Sequence, residues 1–220
     1  MEHSKHYPPS GAKNWQDCLA WLPTDQSNYS SRFGTLCHEV AEDWIKQGQK
    51  PWAVPPEIAE HLAFYVDYCI ENKEFADFYL IEEKLSIACT DSFGTSDFAM
   101  FWGNTLEVCD LKTGVSSESP KSDQLKLYAL GVADRFDLRG TQFDVELKVF
   151  QRGKEKSHKM SCSELFVFED HIKEVKQKRD IALLEVTGHT NKGNSCFWCG
   201  RKPTCPEWQM DIDEFEIIED

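Results

Sequence analysis

The chain has 220 residues, 40% of them hydrophobic and 28% charged, with a formal net charge of −14. That is enough apolar material for one sizeable core and excludes wholesale disorder or a fibre. No run approaches the roughly 18 to 20 apolar residues of a membrane helix, and the opening MEHSKHYPPS lacks the apolar stretch of a signal peptide, so the expectation is one soluble, cytoplasmic domain over residues 1–220.

In chain order, residues 10–22 read as a short helix ending at Pro23, and residues 33–46 as a second, with Cys37, Val40, Ala41 and Trp44 at helical spacing. After a break at Pro51, Pro55 and Pro56, residues 57–71 carry Ile58, Leu62, Tyr65, Val66 and Cys69 at three- and four-residue steps, a third helix. Residues 78–88, 93–102 and 106–112 are rich in β-branched and aromatic residues and predict a three-strand meander, with Gly103-Asn104 as the second turn. Residues 122–135 predict a helix and residues 142–151 a strand whose Phe143, Val145, Leu147 and Val149 alternate with polar neighbours. A long helix over 163–187 then leads to a Cys-rich end and an acidic tail, 207–220, expected to be loosely held.

The net acidity argues against a broad nucleic-acid surface, but it is unevenly spread. Residues 148–202 hold 12 basic and 7 acidic groups, whereas 203–220 hold 7 acidic groups and no basic one. KVFQRGKEKSHK (148–159) and KEVKQKR (173–179) are the basic segments, read either as a solvated loop and helix face or as phosphate contacts.

Chemistry concentrates between Gly94 and Gly131, where GTSDF, DLKTG and QLKLYALG follow one another. Asp110 and Lys112, two apart in a strand, point to one face while Leu111 points to the other layer. A hairpin through Gly103-Asn104 sets Asp97, placed after a Gly94-Thr95 break, opposite Asp110. Facing carboxylates repel unless a cation lies between them, so a divalent metal is the natural occupant. Such an ion polarises a phosphoryl oxygen and activates water, with Lys112 beside it, which is the chemistry of phosphodiester hydrolysis. Gln124 and Tyr128 project together from the next helix, and His38 and Glu42 share the same four-residue spacing upstream.

The ordered set Gly34-x3-His38-x3-Glu42, Gly94-x2-Asp97, Asp110-x-Lys112 and Gln124-x3-Tyr128 resembles the RecB-like branch of the PD-(D/E)XK nucleases. Within that branch it is most similar to small phage-type exonucleases related to the CRISPR-associated RecB-like nuclease. The correspondence covers residues 10–205. It implies an α/β fold: a restriction-endonuclease-like mixed sheet flanked by helices, with the two ends of the chain joined by a Cys-ligated cluster. It further implies His38, Asp97, Asp110 and the Leu111 backbone carbonyl as ligands of Mn²⁺ or Mg²⁺, Lys112 as catalytic lysine, and Gln124 and Tyr128 on the substrate side. Glu82 or Glu83 is expected to support the ligands, the choice between them being open.

Cys196-x2-Cys199-x5-Cys205 supplies three soft ligands where a closed site takes four. The resemblance makes Cys18 the fourth around a 4Fe–4S cluster stapling residues 10–22 to 190–206, with zinc as the rival. Cys37, Cys69, Cys89, Cys109 and Cys162 read as small apolar core residues, and Phe197 and Trp198 as base-stacking or cluster-packing rings. The function so implied is a metal-dependent DNA exonuclease acting at single-stranded or resected ends in phage or prokaryotic recombination, replication or repair. The rivals are a non-catalytic nucleic-acid or protein-binding module on the same fold and a zinc-stabilised protein without nuclease activity. The acidic tail is read as solvating by default, a docking segment for a recombination or replication partner being the alternative, and homo-oligomerisation is left open.

Overall fold

The computed structural model describes residues 4–24, 29–186 and 188–209, so most of the acidic tail lies outside the described residues. Helix α1 (Ala12–Asp17) is followed by α2 (Tyr29–Gln47) and α3 (Pro56–Lys73), then by strands β1 (Phe78–Ile87), β2 (Ser92–Trp102) and β3 (Thr105–Lys112). Helix α4 (Asp123–Arg135), strands β4 (Asp144–Gln151) and β5 (Lys154–Ser161) and helix α5 (Cys162–Leu184) complete the set. The start signals are chemical. Pro56 occupies the first helical position of α3, where its missing N–H is no loss. The Ser122 side chain accepts from Leu125 N–H at the head of α4, and Ser161 and Glu164 form a reciprocal capping box on α5.

The five strands form one sheet in sequential order, antiparallel throughout except for the parallel β3–β4 pair, whose crossover contains α4. The fold is therefore mixed α/β, as expected. Side-chain alternation gives the sheet two apolar faces. On one, Phe98, Met100, Cys109, Leu111 and Phe150 pack with α2 and α3. On the other, Ala99, Leu106, Val108, Leu147 and Val149 pack with α4, α5 and the amino-terminal Trp15 and Trp21. Cys37, Cys69, Cys89, Cys109 and Cys162 are buried, as expected of core residues.

Three expectations need correction. The first helix ends at Asp17, and Cys18 is already extended, with φ −134°. The Gly94-Thr95 break does not exist, because β2 runs through it with Gly94 paired to Leu85. Gly94 is needed for another reason: a Cβ there would stand 2.8 Å from Pro9 Cγ and 2.9 Å from Tyr128 Cε1. Finally, residues 152–159 are not a loop. Arg152 and Gly153, both at positive φ (53° and 66°), turn the chain so that Gln151 faces Lys154 and β5 pairs along all of β4.

The basic segments change with it. Lys148 is buried against Glu107, 3.0 Å away, and near Tyr68. In α5, Lys173 pairs with Asp170 and Lys176 with Asp180, while Arg179 is 0% exposed. Arg179 donates to the backbone carbonyls of His6, Leu19 and Trp21, and so ties the amino-terminal segment to α5. Lys148 and Arg179 are thus committed inside the fold, whereas Lys173 and Lys176 are held in ion pairs nearer the surface.

Candidate metal centre and cysteine pocket

The β2–β3 ladder runs from Trp102↔Thr105 to Phe98↔Cys109. One step further, where Asp97 stands opposite Asp110, the strands are joined differently: Leu111 N–H donates to Asp97 Oδ2 at 2.7 Å. His38, from α2, reaches this point with Nδ1 3.4 Å from Asp97 Oδ1 and 3.1 Å from Glu82 Oε1. Ligand atoms of His38, Glu82 and Asp97 lie within 4.8 Å of one another, the single such group among the described residues.

Glu82 thus resolves the choice between the two glutamates of β1, and its backbone explains why alternation could not. It sits mid-strand at φ +48°, a left-handed conformation that costs about 1–3 kcal/mol in a residue with a side chain. Glu42, the other upstream carboxylate of the pattern, pairs with Lys46 and is not part of that group.

Across the centre, Lys112 Nζ donates to Asp110 Oδ1 at 3.0 Å and to Gln124 Oε1 at 3.2 Å. The Gln124 amide donates in turn to Asp110 Oδ1 (3.3 Å) and Tyr128 Oη (3.4 Å). His38, Asp97, Asp110, Lys112, Gln124 and Tyr128 are therefore brought to one place by α2, β2, β3 and α4. Leu111 joins them through its N–H, with its side chain in the opposite layer.

Burial shapes the protonation of this set. It raises the Asp97 carboxyl above its usual range against the lowering effect of His38, and pushes Asp110 up to about 6 despite Lys112. Burial also works against a charged His38, but Asp97 and Glu82 outweigh it and lift the imidazole to about 9. Two buried carboxyls held above their usual range thus stand beside an imidazole that favours its charged form, an arrangement a divalent cation relieves by replacing protons.

Cys18, Cys196, Cys199 and Cys205 line a single pocket of about 410 Å³, counting the space open to solvent. Trp21 N–H donates to Ser195 carbonyl, Ser195 hydroxyl to Asp17, and Pro23 bridges Cys199, so both chain ends form its walls. Arg201 lines it too, and its buried Nε has no partner among the described residues. Phe197 and Trp198 stack edge-to-face on each other, are 70% and 51% exposed, and do not line the pocket.

The fold and site define a mixed α/β protein with a buried His-carboxylate-lysine centre at the parting of two central strands. No described helix is long and apolar enough to cross a membrane. The chain belongs to the family described as "Protein of unknown function (DUF2800)", whose model matches residues 5–218.

Proposed function

We propose that the protein is a metal-dependent DNA nuclease of the PD-(D/E)XK type, RecB-like branch, acting as an exonuclease on single-stranded ends in phage or prokaryotic recombination, replication or repair. The observation that carries the reading is the convergence of His38, Glu82 and Asp97 within 4.8 Å beside the Lys112–Asp110–Gln124 network. The hard oxygen donors with one imidazole suit Mn²⁺ or Mg²⁺. When bound, such an ion supplies Lewis acidity and a more acidic water. His38, Glu82 and Asp97 would hold it, with Asp110 opposite. Lys112, held between a carboxylate and an amide, places its ammonium where charge develops on a phosphodiester oxygen or where a water is oriented. Gln124 fixes that ammonium from the helix side and ties it to Tyr128, which closes the wall of the site.

The cysteine pocket would hold a 4Fe–4S cluster in this reading. Four cysteines on one pocket form an all-thiolate donor set of the kind that holds such a cluster, with zinc as the rival occupant. The cationic Arg201 among the lining residues suits the negative charge of a thiolate-bound cluster. Visible absorbance of the anaerobically purified protein decides it: a colourless, zinc-loaded chain would reject the cluster.

The deciding assay for catalysis is digestion of end-labelled linear and circular single strands with Mn²⁺. Wild type should degrade the linear strand, and Lys112→Ala and Asp110→Ala should not. Equal degradation by the three proteins would defeat the assignment.

A further inference from the structure

A groove of about 840 Å³, counting open space, runs into the centre and shares Gln124 with it. One wall is Pro9–Lys13, and the other is the segment 117–122 that follows β3. The second wall is built rather than loose: the Gln151 side-chain amide donates to the carbonyls of Gly114 and Ser116, and Lys156 Nζ donates to Ser117 Oγ and Glu118 carbonyl. Lys13 and Lys121 face each other's walls, both exposed, and neither ammonium has an ion-pair partner among the described residues. Two carboxylates also border the groove. Asp123 is already committed to Lys126 (2.8 Å) and Gln16 (2.9 Å), and Glu118 lies near Lys112. The positive field extends to β5, where Lys121 and Lys126 add to burial in lowering the His158 pKa.

Next to Lys112 the centre also borders α2. Gly34 of α2 abuts the next residue, Thr113, since a Cβ there would lie 3.3 Å from Thr113 Oγ1. Immediately before Gly34, Phe33 stacks with Tyr29 at 6.5 Å and 16°, and Tyr29 is 79% exposed.

We propose that the groove and the Tyr29 ring form the binding track of a single-stranded polynucleotide: backbone phosphates lie between Lys13 and Lys121 with the groove serines as donors, and unstacked bases lie on Tyr29. The inference rests on the nuclease reading for what happens at the centre but not for binding itself. Lysines in the groove that shares Gln124 with the centre, and an exposed ring on the helix that abuts Thr113, fit a single strand, whose bases are free to stack. It also places the grip of an acidic protein in two unpaired lysines rather than in its more basic last third.

The test measures binding of a fluorescein-labelled oligothymidylate by anisotropy across about 50 to 200 mM salt, with Mn²⁺ present and in a Lys112→Ala background so that the strand survives. Adding Lys13→Ala and Lys121→Ala should weaken binding at least tenfold and lower the slope of log K against log salt by about 1.4, at about 0.7 per lost phosphate contact. Tyr29→Ala should weaken binding at least about fivefold without changing that slope, because stacking releases no counterions. Unchanged affinity and slope in the double lysine variant, or an equal loss in Lys178→Ala, an exposed lysine of α5 that does not line the groove, would overturn the track. Unchanged affinity in Tyr29→Ala would overturn its single-strand assignment. Failure of the wild-type protein to cleave any strand would defeat the nuclease reading alone, because the salt slope still reports on the groove.

Discussion

Replacing Asp97 by Asn should abolish the response of stability to divalent metal while leaving the metal-free protein intact. Asn keeps the oxygen that accepts from Leu111 N–H and keeps the side-chain volume, so the local backbone join survives. Its lost charge removes an attraction to His38 and repulsions from Glu82 and Asp110 together. These offset one another, and the net change in metal-free stability should stay within about 1 kcal/mol. In the wild type, metal at 100 times its dissociation constant adds about 2.7 kcal/mol to the folded state. For a chain of this size each kcal/mol shifts the midpoint by about 2–4 °C, so the rise should be roughly 5–11 °C. Differential scanning fluorimetry with Mn²⁺ or Mg²⁺, reversed by EDTA, measures it. A wild type that shows no shift at millimolar metal, or an Asp97→Asn variant with the full shift, would refute the assignment of this centre.

The other expectations test separate links. His38 has a folded pKa of about 9 against an ordinary 6.5, so its contribution to metal-free stability is complete below pH 6.5 and is lost as pH rises through 9. Urea denaturation should show that decline, and His38→Gln should flatten it. Gly94→Ala should cost about 1–3 kcal/mol, because the new methyl must displace Pro9 and Tyr128, and nuclease activity should fall with it. Wild-type stability in the Gly94→Ala variant would show that packing there is loose. Arg179→Met removes the donor from three carbonyls and should cost about 3 kcal/mol or more. Hydrogen exchange should then rise in residues 6–22 and stay unchanged in β2 and β3.

Much of the molecule is legible in the sequence because its central elements obey simple periods. The alternation of 106–112 put Asp110 and Lys112 on one face and Leu111 on the other, as found, and the spacing of Gln124 and Tyr128 placed both on the site side of α4. Strand β5 escaped that reading because an edge strand buries little: KEKSHKMS is mostly exposed, and what defines it is backbone pairing and two positive-φ turn residues. Glu82 escaped because a left-handed residue breaks the two-residue period at the position where its carboxylate is needed. Lys148 and Arg179 read as surface charges because sequence shows a charge but not its partners, which come from Glu107 on another strand and from backbone carbonyls about 160 residues away.

The tie between Arg179 and the amino-terminal segment also sets an order of events during synthesis. Residues 6–22 leave the ribosome before α5, and their partners are separated from them by 158 to 178 positions. At about 5–20 residues per second, Trp15 and Trp21 wait on the order of ten seconds or more before α5 and Ser195 exist to cover them. For that interval the nascent chain carries two exposed indoles. A chaperone that holds the emerging amino terminus should therefore raise the yield of this protein more than one acting after release.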